Sequence, residues 1–102
     1  SFRKKTGIDW DHTVQGLIAR YQELCAHFNT GSVTKQEYDN RLAKIETIEK
    51  KTYELYQEFL RKKARRKQDT FDELDRETNN TQSIKRAYDR INREIDLIAL
   101  GE

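Results

Sequence analysis

The sequence predicts an all-α fold, an antiparallel up-down-up three-helix bundle formed by a single helical domain over residues 1–102. Three observations carry that prediction. The 102 residues contain no Pro and only four Gly, so little interrupts a long helix. Apolar residues recur at spacings of three and four in three separate stretches, the period of one helix face. Two Thr-x-x-Glu patterns, Thr34 to Glu37 and Thr70 to Glu73, have the spacing of a capping box that opens a helix. The charged fraction of 37% exceeds the hydrophobic fraction of 34%, which fits helices with narrow apolar stripes.

The first helix is expected over about residues 9–29. Its stripe is Trp10, Val14, Leu17, Ile18, Tyr21, Leu24, Cys25 and Phe28, which places Cys25 on the core side. Gly31 suits the left-handed position just past a helix end. Gly16 lies off the stripe and costs about 1 kcal/mol against Ala in a helix interior, a cost the sequence does not explain.

The second helix is expected over about 35–66. Its stripe is Tyr38, Leu42, Ile45, Ile48, Thr52, Leu55, Tyr56, Phe59 and Leu60. The short Thr30 to Val33 linker makes helices one and two antiparallel neighbours.

The third helix, about 70–100, carries a heptad through Leu74, Glu77, Thr81, Ile84, Tyr88, Ile91, Ile95 and Ile98. An alternative lets helix two run to Thr78, with a short helix after it. Counting back from a reversal at Lys67 to Asp69 favours the long third helix. It sets Ile98 beside Tyr38, Ile84 beside Thr52, Phe28 beside Tyr38 and Val14 beside Thr52. Helices two and three then project beyond helix one as a charged hairpin tip.

That tip holds the main candidate site. Arg61, Lys62, Lys63, Arg65, Arg66 and Lys67 are followed by Asp69, Asp72, Glu73, Asp75 and Glu77, with Arg76 among them. Paired across the tip, +6 meets −4 and leaves a surplus near +2. Arg3, Lys4 and Lys5 fall at the same end, so nine of the twenty basic residues gather there. Three readings fit the run: a solvated self-neutralised tip, a patch that contacts phosphate or an acidic partner without sequence readout, and a nuclear-localisation pattern. Carboxylates nearby and the lack of aromatic residues among the basics, Phe71 excepted, weigh against nucleic acid.

The chain carries five tyrosines. Tyr21, Tyr38, Tyr56 and Tyr88 fall on core stripes, where the ring packs and the hydroxyl reaches the edge. Tyr53 falls off its stripe and is a candidate partner contact, with Trp10 and Phe71. Trp10 at the start of its stripe also reads as the residue that closes the core.

Catalytic and metal chemistry find little support. His12 and His27 are too far apart on one helix to share a metal, and no Glu-x-x-His pattern of a bundle-core dimetal centre occurs. No Gly-rich phosphate loop and no Gly-x-Ser-x-Gly turn occurs. No enzyme activity, catalytic residue, cofactor, metal or small-molecule substrate is expected. The lone Cys25 excludes an internal disulfide and makes an intracellular setting, cytoplasmic or nuclear, the default. No stretch approaches the roughly 18–20 apolar residues of a membrane span, and no membrane partner is expected.

Leu17-Ile18, Tyr21, Leu24, Gly31 to Tyr38 and Leu42 resemble the helical hairpin of the short C-terminal domains called SHOCT. The resemblance covers less than a third of the chain, rests on capping chemistry and implies no function. The expected function is a non-enzymatic interaction module that binds a protein partner or itself. The start without Met and the end just past Gly101 read as a domain of a larger protein or assembly. A nucleic-acid-binding module using Arg3 to Lys5 and Arg61 to Lys67 is the alternative.

Overall fold

The computed structural model describes residues 6–66 and 71–101, with residues 66 and 71–80 placed by their backbone. It is an all-α bundle of three helices packed against one another: α1 (Trp10–Asn29), α2 (Lys35–Arg66) and α3 (Phe71–Ala99).

Each described helix end has a chemical cause. Asp9 caps α1 by accepting the His12 N–H at 3.4 Å. At its other end the Ser32 N–H bonds the His27 carbonyl at 2.8 Å, and the Gly31 N–H bonds Phe28 at 3.1 Å. This is a Schellman motif, and Gly31 takes the required positive φ of 74°. Thr34 and Glu37 form the expected capping box. The Glu37 N–H reaches Thr34 Oγ1 at 3.1 Å, while the Thr34 N–H reaches Glu37 Oε1 at 3.0 Å. The Thr34 N–H, and then the Thr34 side chain, hold the Glu37 carboxyl below the usual carboxylate range.

The core has two clusters. Leu17, Leu24, Ile45, Ile48, Ile91 and Ile95 form the first; Ile8, Phe59, Ile84 and Tyr88 form the second. Ile8 precedes the Asp9 cap, is 2% exposed, and packs with the end of the core. It lies outside the periodic stripe of α1, so periodicity alone does not find it. Two buried polar residues are satisfied. Thr13 donates to Asn92 Oδ1 at 3.0 Å, and Thr52 donates to the Ile48 carbonyl one turn back at 2.8 Å.

α1 runs parallel to α3 and antiparallel to α2. Asp9 meets Tyr88, Thr13 meets Asn92, and Gly16 meets Ile95. The Tyr88 hydroxyl accepts from the Asp9 N–H and donates to its carbonyl, both at 3.0 Å, which fastens the start of α1 to α3. Phe28 meets Tyr38 in a tilted contact at 4.6 Å between centroids, as counting along the first hairpin predicts.

The second hairpin is set differently from the expected register. Ile84 packs with Phe59 rather than Thr52, and Lys51 pairs with Glu94 at 3.6 Å. Ile98 lies beside Lys44 and Ile45, not beside Tyr38. The displacement is about one heptad, so the same faces of both helices still meet. Apolar matching decides the register. The expected register would set Phe59 against Glu77 and Leu55 against Thr81, whereas the observed one brings Phe59 and Leu55 into the core.

Candidate interaction surfaces

The bundle measures 58 × 22 × 18 Å, about two helix diameters across. Every helix therefore keeps a solvent face, and the apolar stripe of α1 is wider than the core it serves. Leu17 and Leu24 are buried, but Val14 is 45% exposed and Ile18 is 42% exposed. Cys25 is exposed and accepts from Asn29 Nδ2 at 3.5 Å, so it does not lie on the core side. Two neighbours suffice to cover only part of a stripe this wide.

The uncovered part meets a matching strip on α2. Tyr53 is 64% exposed and Tyr56 is 37% exposed. A groove of about 330 Å³ runs between them, lined by Trp10, Asp11, Val14, Glu49, Tyr53 and Tyr56 among others. Trp10 forms its upper end. Its ring meets Tyr56, Phe59 and Tyr88 edge-on at 5.3, 5.6 and 5.7 Å, the geometry that aromatic quadrupoles favour. Trp10 thus closes the core with one face and borders the groove with another. Tyr53 stands at the surface, as its place off the stripe predicts.

Carboxylates rim this groove. Asp11 and Glu49 line it, and Glu46 acts electrostatically on Tyr21 beside it. The Tyr21 hydroxyl donates to Glu49 Oε2 at 2.7 Å. Burial, then that bond, then the charges of Glu49 and Glu46 push the Tyr21 phenol up to about 12. Stability linked to it is therefore complete below pH ~10 and falls as pH rises through about 12. An alkaline absorbance titration should show a tyrosine ionising near 12. Glu49→Gln should bring it part of the way back, since burial remains. An unchanged midpoint in that variant would contradict the Tyr21–Glu49 contact.

The basic end is described in part. Arg61, Lys63 and Arg65 are exposed on α2. Lys62 is bound to Glu58 one turn earlier at 2.9 Å. The observed register sets Arg61 level with Gln82 and Ser83, which are uncharged. Arg3, Lys4, Lys5 and Lys67 lie outside the described residues, as do the side chains of Arg66, Phe71 and the acids at 69–77. The expected neutralisation of the run by those acids lies outside them too.

At the opposite end, Arg20, Arg41 and Lys44 line a cavity of about 150 Å³ beside Ile98, Ala99 and Gly101. α3 has no basic residue in its last turn, so its neighbours supply the cations that favour a helix C-terminus.

Among the described residues no three His, Cys, Asp or Glu side chains gather as a metal site, and no helix is long and apolar enough to cross a membrane. No family model matches the chain, and neither a curated protein nor a solved structure matches it.

Proposed function

We propose that this chain is a non-enzymatic helical-bundle interaction module that mediates protein–protein contacts through the α1/α2 edge. The observation that supports this reading is the strip of Val14, Tyr53 and Tyr56 along one groove, with Ile18 one turn beyond Val14 on α1, each at least 37% exposed. Contiguous exposed apolar surface is what partner sites use, and tyrosine is enriched where contacts carry energy. Ile18→Ala with Tyr53→Ala should abolish retention of a protein partner on the immobilised chain. Arg61→Glu with Arg65→Glu should leave that retention intact. The reverse pattern would move the contact to the basic end.

The register of α2 and α3 favours nucleic acid as a second reading. Arg61 has uncharged Gln82 and Ser83 at its level, so described residues do not offset its charge from across the hairpin. Phosphate contacts of this kind give binding that weakens steeply with salt. A gel shift with generic duplex at 50 mM salt should then show retardation that Arg61→Glu with Arg65→Glu removes. An absence of retardation in the parent chain eliminates this reading.

A further inference from the structure

We infer that the partner of the α1/α2 edge is an amphipathic helix whose apolar stripe is flanked by Lys or Arg, docking as a fourth helix of the bundle; this rests on the reading of that edge as the partner surface. Val14 and Ile18 stand one turn apart on α1, and Tyr53 and Tyr56 stand one turn apart on α2, with Leu17 and Thr52 at the floor of the groove between them. Two antiparallel helices with apolar side chains exposed on both sides of their groove present the seat that a further helix takes in a four-helix bundle. Such a helix engages through residues at i, i+3, i+4 and i+7. From Glu49 to Tyr56 the groove is roughly 10 Å long at ~1.5 Å per residue, enough for about two turns.

Charge then selects the partner. Asp11, Glu46 and Glu49 border the strip. None of the three forms an ion pair with a described residue, although Glu49 accepts the Tyr21 hydroxyl. Lys44 and Lys50, both exposed on α2, flank Glu46 and Glu49 in sequence, and neither forms an ion pair with them. The other carboxylates of these helices that form ion pairs, Glu23, Asp39 and Glu58, are held by Arg20, Lys35 and Lys62 on their own helices. Of the five carboxylates on these helices without an ion pair to a described residue, Asp11, Glu46 and Glu49 border the uncovered apolar surface, while Glu37 serves its capping box and Glu54 lines the groove toward α3. A helix flanked by Glu would meet like charge there, whereas one flanked by Lys or Arg would complete the pairs. Complementary rims of this kind govern partner choice and association rate.

The test uses two 18-residue amphipathic peptides with the same Leu and Phe stripe, one flanked by Lys and one by Glu. Each is titrated into the isotopically labelled chain at 50 mM salt and followed by NMR shifts. The Lys peptide should bind at least tenfold more tightly, and shift changes should centre on Val14, Ile18, Tyr53 and Tyr56. Asp11→Asn with Glu46→Gln should narrow the preference while leaving the fold and the site of the shifts unchanged. Equal or tighter binding of the Glu peptide at this edge would overturn the charge rule and leave the partner surface standing. Binding of neither peptide, or shifts confined to the second groove, which Ala43, Thr47 and Leu97 line between α2 and α3, would overturn both.

Discussion

Ile95→Ala is expected to remove about 2–5 kcal/mol of folding stability, the range for truncating a buried isoleucine. Ile95 is 2% exposed and belongs to the cluster with Leu17, Leu24, Ile45, Ile48 and Ile91, where all three helices meet. A small domain has about 5–15 kcal/mol of stability in total, so this one substitution takes a large share of it. Urea unfolding should show a lower midpoint with an unchanged slope. Leu97→Ala is the internal control. It lies two residues further along α3 but is 44% exposed, and its cost should stay below about 1 kcal/mol. Equal costs would mean that α3 presents a different face to the core.

Gly16→Val is expected to destabilise by about 1–3 kcal/mol through overpacking, although glycine is the poorer helix former. Helix propensity alone would favour Gly16→Ala by about 1 kcal/mol. The structure opposes that gain, because a Cβ at position 16 would sit 3.1 Å from Ile95 Cγ2. Ile95 is buried among its neighbours and has little room to yield. The glycine lets α1 lie close against α3 where the Thr13–Asn92 hydrogen bond, one turn away, ties the same pair of helices. Combining Gly16→Val with Ile95→Ala should cost less than the two single variants together, since the truncated side chain frees the space the valine needs. Strict additivity would place Gly16 away from Ile95.

Much of the architecture was legible because its signals are local. Thr34 and Glu37 lie within one turn, Gly31 follows its helix directly, and both act through neighbouring backbone. The ends of all three helices lie within one residue of their expected positions. The register of α2 and α3 was not legible in the same way. A shift of one heptad leaves every face where it was, so periodicity cannot choose between Ile84 against Thr52 and Ile84 against Phe59. What chooses is the number of apolar layers that match across the hairpin, a property of both helices together. Ile8 escaped for a related reason. It precedes its helix, and its burial depends on the space that Phe59, Ile84 and Tyr88 leave open.

The candidate surface was half legible. Tyr53 stood out because it breaks its stripe. Val14, Ile18 and Cys25 continue theirs and so read as core, because a stripe records hydrophobicity without recording how many neighbours exist to cover it. With two neighbours, α1 buries Leu17 and Leu24 and leaves Val14 and Ile18 half uncovered. The acidic rim could be recognised only once α1 and α2 were placed side by side, since Asp11 lies on one helix and Glu46 and Glu49 on the other.

The α1/α2 edge stands open in the isolated chain, apolar and rimmed by acid. Solvent paramagnetic relaxation tests it most directly, with a neutral gadolinium chelate added to the methyl-labelled protein. The methyl groups of Val14 and Ile18 and the ring of Tyr53 should relax strongly, while those of Leu17, Ile45 and Ile95 stay protected. Protection of Val14, Ile18 and Tyr53 equal to that of Leu17 would contradict the claim, because the edge would then already be covered.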